Sequence, residues 1–72
     1  MAQFEEIGRI KVNETRDIVM SKVSEDGQVK GVNINSYITT QKYTGFTKDG
    51  VFVPEDRIEE FGEMVKRVLA CS

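Results

Sequence analysis

The sequence predicts an α+β fold in which a curved four-stranded antiparallel β-sheet is followed by one C-terminal amphipathic helix. Before residue 54, apolar and polar side chains alternate with a period of two, which is typical of half-buried strands. An Asp-Gly pair at 26–27 indicates a tight hairpin. From Pro54 onward the apolar spacing changes to three and four residues, as in a helix. The chain is therefore predicted to be one ββββα domain over residues 1–72, near the lower size limit for a self-sufficient core.

The first predicted strand covers residues 8–12. Ile10 and Val12 fall on one face, and Arg9 and Lys11 fall on the other, so we expect this strand to be half-buried.

A turn at residues 13–17 leads to a second strand at residues 18–23. Apolar and β-branched residues blur the alternation at its start, as in a strand covered on both faces for part of its length. The next turn, at residues 24–28, contains the Asp-Gly pair and joins the second and third strands as a hairpin.

The third strand, at residues 29–38, has the clearest alternation. We expect an aliphatic inner face and an outer face that carries amides and one aromatic ring. The inner residues are Val32, Ile34 and Ile38, and the outer residues are Asn33, Asn35 and Tyr37.

Residues 39–47 are mostly polar and predict a long loop or an irregular extension. Residues 48–50 form a second turn, and residues 51–53 form a short closing strand. All strands are thus expected within about residues 7–53.

The helix is predicted over about residues 54–70. Pro54 suits the first helical turn, and Glu55 and Asp56 follow it at the end of the helix dipole that favours acids. The helix is expected to cover the inner face of the sheet. Its apolar residues span about 160° of the helix circumference, and they are Ile58, Phe61, Gly62, Met64, Val65, Val68 and Leu69.

An apolar arc of this width can contact the sheet with one flank and a second subunit with the other. Gly62 costs about 1 kcal/mol of helix propensity relative to alanine, which the close approach of another backbone would explain. We therefore predict a homodimer with Phe61, Gly62, Val65 and Leu69 in its interface. The alternatives are that Gly62 lets the helix lie flat on its own sheet, or that the arc binds another protein.

Acidic residues are absent from residues 27–48, although the chain has 12 of them. This segment instead holds three lysines with Tyr37, Tyr43 and Phe46 among them. Cations that meet phosphates and rings that stack on bases suit a single-stranded nucleic acid. The alternative is an ordinary lysine-bearing hairpin whose aromatic rings are core residues or cross-strand pairs.

The net charge of −2 excludes a bulk polycation, so a nucleic-acid site requires charge segregation. Residues 7–48 contain seven basic and four acidic side chains, whereas residues 54–72 contain five acidic and three basic ones. The predicted nucleic-acid contacts are Arg9, Lys11, Lys22, Lys30, Asn33, Asn35, Tyr37, Lys42, Tyr43, Phe46 and Lys48.

Catalysis, metal sites and cofactors are not predicted. The chain has no histidine, its glycines lack the spacing of a phosphate-binding loop, and the lone Cys71 provides neither a zinc site nor an intramolecular disulfide. The acidic N-terminal segment does not resemble a signal peptide, and no apolar run is long enough to cross a membrane. We therefore expect a non-enzymatic protein in a reducing, cytoplasmic location.

Three short motifs follow one another: Val-Asn-Ile-Asn-Ser-Tyr at 32–37, Lys-Tyr-Thr-Gly at 42–45 and Gly-Val-Phe-Val-Pro-Glu at 50–55. This series resembles the transcriptional positive cofactor four family, and in particular its bacterial YdbC-type branch. The similarity covers about residues 7–70.

The resemblance implies a curved antiparallel sheet, one C-terminal helix and a dimer formed largely through the helices. It also implies binding of single-stranded DNA, and in some cases RNA, in grooves lined by the sheets of both subunits, in the bacterial cytosol or nucleoid. By position, Tyr37 matches the family's stacking Trp, and Lys48 lies near its Lys-Gly pair. Asn33 and Asn35 match its Asp and Arg. Three differences each weaken the expected binding: Tyr stacks less extensively than Trp, Asn35 lacks a cation, and Asp49 is an acid where the family often has a second base.

Overall fold

The computed structural model describes residues 2–70 and confirms the α+β fold, an antiparallel sheet followed by one C-terminal α-helix. The first strand is longer than predicted, because its pairing with the second strand continues well beyond residue 7 towards the N-terminus. The elements are β1 (Ala2–Asn13), β2 (Arg16–Glu25), β3 (Gln28–Thr39), β4 (Thr44–Phe46), β5 (Val51–Pro54), a 3-10 turn (Glu55–Arg57) and α1 (Ile58–Ala70).

The turn predicted at residues 13–17 and the hairpin predicted at residues 24–28 are both present. Asp26 and Gly27 have φ angles of 53° and 79°, and positive values at both central residues define the turn type whose twist matches antiparallel strands. In the other turn, the Asn13 side-chain oxygen accepts hydrogen bonds from the backbone N–H and the hydroxyl of Thr15, at 2.9 and 3.0 Å. Local side-chain and backbone chemistry therefore fixes the turns of the β1–β2–β3 meander.

The segment predicted as a loop at residues 39–47 contains a strand. β4 pairs with the end of β3 at residues 37–39, and β5 pairs with residues 31–34 of the same β3 edge. Between them, the Thr47 N–H donates to the Ser36 carbonyl at 2.9 Å. β4 and β5 are thus two halves of one interrupted fourth strand, which periodicity could not predict because β4 has only three residues, Thr-Gly-Phe, too few to show an alternation.

The two faces of the sheet follow from the strand register, because directly opposed residues share a face. Tyr37 lies opposite Asp17 and Phe46, whereas Ile34 lies opposite Met20 and Val51. The Tyr37 face comprises Arg9, Lys11, Asp17, Val19, Asn33, Asn35, Tyr37, Phe46 and Phe52. The Ile34 face comprises Ile10, Ile18, Met20, Val32, Ile34, Ile38, Val51 and Val53.

The buried core is small. In the described chain its apolar members are four valines, of which Val19 is the most buried with 1% of its surface exposed. The prediction that β1 is half-buried was wrong, since every residue of this strand is exposed. β1 pairs with β2 at one side of the sheet, and little packs over either of its faces.

The helix differs from its prediction in two respects. Pro54 belongs to β5, and a 3-10 turn precedes α1, so the α-helix begins at Ile58 rather than Pro54. The helix was also expected to cover the inner face of the sheet. Instead its main contacts are with β5 and the 3-10 turn, and Ile10, Ile18 and Met20 on the Ile34 face remain exposed.

None of the described helical residues form a helix that is long and apolar enough to span a membrane. The prediction that Cys71 forms neither a zinc site nor an intramolecular disulfide concerns a residue outside the described ones.

Candidate nucleic-acid interface

Tyr37 lies at the centre of a row of side chains that crosses four strands. The register places Lys11, Asp17, Tyr37 and Phe46 opposite one another in β1, β2, β3 and β4. The Tyr37 and Phe46 rings meet edge to face with centroids 5.1 Å apart. This is the cross-strand aromatic pair anticipated as an alternative, and it leaves Tyr37 half-buried and Phe46 48% exposed.

Arg9 covers the Tyr37 ring. Its guanidinium carbon lies 5.2 Å from the ring centroid. Two of its nitrogens donate to the Glu6 carboxylate, Nε at 3.1 Å and Nη2 at 2.8 Å, and Nη1 donates to Asp17 Oδ2 at 3.2 Å. Two hydrogen bonds to one carboxylate and a third to another hold the guanidinium in place over the ring.

These contacts perturb the ionisation of the Arg9–Glu6 pair. The hydrogen bond from Arg9 lowers the pKa of Glu6 below its ordinary value. The same bond, with a further contribution from Asp17, raises the pKa of Arg9 above its ordinary value. Both groups are therefore charged at neutral pH.

The two amides on this face brace the sheet and a loop. Asn33 donates a side-chain hydrogen bond to Asn35, and Asn35 Nδ2 donates to the Thr47 carbonyl at 3.4 Å. The Asn35 amide also lies against Gly50, where a Cβ would come within 2.6 Å of it. Asn35 thus positions the 47–50 loop, which carries Lys48.

Tyr43 is held within its own turn. Its hydroxyl donates to the Phe46 carbonyl at 2.5 Å, and its N–H donates to the Thr40 hydroxyl at 3.0 Å. About half of its surface is exposed. The ring therefore stabilises the turn before β4 and keeps an accessible side next to Phe46.

Apart from Arg9, the predicted cations divide into two groups. Lys11 lies on the Tyr37 face, and Lys42 and Lys48 lie in the segments before and after β4. None of these three lysines forms an ion pair with a described residue. The other two are separated from this surface. Lys22 lies opposite Val32 on the Ile34 face and pairs with Glu5 at 3.0 Å, and Lys30 is seven residues from Tyr37, about 23 Å along the strand.

Three side chains of this surface were not among the predicted contacts. Phe52 lies opposite Asn33 and is half exposed, and Glu6 and Asp17 place two carboxylates beside Arg9. The sequence did indicate Phe52, because it alternates with Val51 and Val53 and so points to the opposite face of the strand. No sequence signal identified the carboxylates, because Glu6 reaches this face through a bulge between Glu6 and Gly8 and Asp17 through its register opposite Tyr37.

The predicted dimer residues lie on α1. Phe61 and Gly62 are half-buried, while Val65 and Leu69 are exposed. A Cβ placed on Gly62 would have no described neighbour within 4 Å, so its own sheet does not require a glycine there. Among residues 2–70, no group of three or more acidic, histidine or cysteine side chains could hold a metal ion.

Comparison of the chain with family models, with curated proteins and with solved structures finds no significant match. The resemblance to the positive cofactor four family therefore rests on the motifs at residues 32–37, 42–45 and 50–55 alone.

Proposed function

We propose that this protein binds single-stranded nucleic acid without strong sequence preference and without catalysis, in transcription, replication or repair in the bacterial cytosol or nucleoid. One observation supports this most directly: the Tyr37–Phe46 ring pair, Arg9 and Lys11 lie together on one sheet face, on which Arg9, Lys11 and Phe46 are exposed. Aromatic rings can stack on any base, and cations can contact the phosphates of the nucleic-acid backbone whatever the base sequence.

The charges around this face also favour a polyanion. Lys11, Lys42 and Lys48 are free of ion pairs with described residues, so a phosphate can approach each without displacing a carboxylate. The acid-free segment at residues 27–48 forms β3, β4 and the turn between them. The resemblance adds support through Tyr37, which occupies the position of the family's stacking Trp.

A salt titration of binding to a dT oligomer tests the proposal. Three phosphate contacts predict that log K falls linearly with log salt, with a slope of about −2 per subunit. Absence of binding at low salt would contradict the proposal and favour a protein-interaction module that uses the apolar side of α1.

Lys11→Ala and Lys22→Ala form a matched pair, because both lysines lie on strands but on opposite faces. We expect Lys11→Ala to make the salt slope shallower by about 0.7 and Lys22→Ala to leave it unchanged. Lys48→Ala is expected to behave like Lys11→Ala. Equal effects of Lys11→Ala and Lys22→Ala would show that the Tyr37 face is not the binding surface.

Tyr37→Ala is expected to weaken oligonucleotide binding by about 1–3 kcal/mol. Because the ring is half-buried against Phe46, stability should also fall, by about 1–2 kcal/mol. Thermal melting and oligonucleotide affinity are measured on the same sample. Tyr37→Phe keeps the ring and should keep most of the affinity, whereas a folded Tyr37→Ala protein with undiminished affinity would exclude Tyr37 from the site.

We also propose that the protein is a homodimer. Its accessible surface is 5993 Å², whereas a compact monomer of 8.2 kDa exposes about 4,500 Å². The excess of about 1,500 Å² is larger than the roughly 800 Å² that each partner contributes to a standard interface. The Cα radius of gyration, 13.9 Å, likewise exceeds the value of about 11 Å for a compact domain of this length.

Two exposed apolar surfaces, one on α1 and one on the Ile34 face, are available for a second copy of the chain to cover. Val65 and Val68 on α1 are 52% and 70% exposed, and Ile10, Ile18 and Met20 are exposed on the Ile34 face. A second copy of the chain can bury both surfaces at once. This leaves the Tyr37 face available for nucleic acid.

A further inference from the structure

Arg9 differs from the other cations of the Tyr37 face because its positive charge is already paired with carboxylates. Three of its nitrogen–carboxylate contacts lie within 3.2 Å, and they join one guanidinium to two acids. Lys11, in the same strand, has no ion pair with a described residue. A phosphate that approached Arg9 would meet the Glu6 and Asp17 carboxylates around it, so Arg9 is poorly suited to a phosphate contact.

The same contacts prepare Arg9 for a different role. They use three of its five N–H groups and hold its guanidinium carbon 5.2 Å from the Tyr37 ring centroid. The side chain nevertheless remains 40% exposed. The guanidinium is planar and partly exposed beside the ring, and nucleobases stack on arginine planes as they do on aromatic rings.

We propose that a nucleobase stacks on the outer face of the Arg9 guanidinium, with Tyr37 supporting Arg9 from below and Phe46 extending the surface beside it. Glu6 and Asp17 act as positioning residues, because they hold the guanidinium beside Tyr37 and occupy three of the N–H groups that could otherwise contact phosphates. This inference rests on the proposed function and assigns its base contact to Arg9 rather than to the bare Tyr37 ring.

The experiment compares two oligomers of equal length, a dT oligomer and an abasic oligomer with the same phosphates and no bases. The ratio of their affinities measures base stacking, whereas the salt slope measures phosphate contacts. The wild-type protein is expected to prefer the dT oligomer. Arg9→Lys keeps the charge but loses the planar fork, so we expect the affinity ratio to fall by about two- to five-fold with the salt slope unchanged.

The double variant Glu6→Gln/Asp17→Asn releases Arg9 and is expected to change both quantities. The freed guanidinium can contact a phosphate, which should make the salt slope steeper by about 0.7, while the ratio of dT to abasic affinity falls. Removal of two acids by electrostatics alone would raise the affinity for both oligomers equally. Such an equal rise would contradict the positioning role.

Arg57→Lys is the matched control, because Arg57 also forms an exposed ion pair, with Glu60 at 2.7 Å, away from the Tyr37 face. It should change neither the ratio nor the slope, and melting curves show that each variant is folded. The inference is overturned if Arg9→Lys leaves the ratio of dT to abasic affinity unchanged. It is also overturned if Arg9→Lys makes the salt slope shallower and lowers the affinity for both oligomers equally. Equal wild-type affinity for both oligomers overturns it while leaving phosphate binding intact, and absence of binding to either overturns the proposed function as well.

Discussion

Gly31→Ala is expected to destabilise the protein by about 3 kcal/mol, at the upper end of the cost of overpacking. Gly31 is buried in β3 beside β5. A Cβ there would lie 2.2 Å from the Val53 carbonyl oxygen, 2.8 Å from the Phe52 ring and 3.0 Å from the Pro54 Cα. Because two of these atoms belong to the backbone, a change of rotamer cannot relieve the contact, and β5 must move away from β3.

The displacement of β5 would also affect the helix, because α1 contacts the sheet mainly through β5. Chemical denaturation at a fixed protein concentration measures the free energy of unfolding. Gly8→Ala is the matched control, since it also replaces a strand glycine, but a Cβ at Gly8 has no described neighbour within 4 Å. Equal stabilities of Gly31→Ala and Gly8→Ala would contradict the close packing of β5 on β3.

The parts of the fold that local chemistry determines could be predicted from the sequence. The Asp-Gly turn has the positive φ angles that its residues favour, and the alternation of β3 placed Asn33, Asn35 and Tyr37 on one face, as the register confirms. β4 could not be predicted, because its pairing with β3 depends on tertiary contact rather than on periodicity. The packing of the helix on the inner face of the sheet was also mispredicted, since the apolar face of an amphipathic helix does not specify which apolar surface it will contact.

The candidate site shows the same limit. Composition indicated the aromatic and basic residues, but the face of each side chain depends on strand register. A one-residue shift in register moves a side chain to the other face. Lys22 was grouped with the nucleic-acid contacts and instead lies on the Ile34 face, while Glu6 and Arg9 meet because β1 bulges between Glu6 and Gly8. The bulge is a property of the paired strands, which no single strand sequence reveals.

Gly62→Leu is expected to convert the proposed homodimer into a monomer. In the described chain, a side chain at this position meets nothing within 4 Å, and leucine favours a helix over glycine by about 1 kcal/mol. The variant monomer should therefore be no less stable than the wild-type chain when each is isolated. If Gly62 allows a second helix to approach, a leucine would instead separate the two backbones and expose the Val65 side of α1 again.

Light scattering at micromolar concentration gives the mass directly. We expect twice the 8.2 kDa chain mass for the wild type and the single-chain mass for Gly62→Leu. Arg67→Leu is the matched control, because it adds the same side chain about 140° around the helix from Gly62 and should remain dimeric. Leucine should stabilise the helix and weaken association, so loss of the dimer without loss of stability identifies an interface effect rather than unfolding. A folded, dimeric Gly62→Leu protein would exclude close helix packing at Gly62. A monomeric wild-type protein would exclude the dimer. In the latter case the apolar surface of α1 and the Ile34 face would have to be covered by a different protein, which would favour the interaction-module alternative.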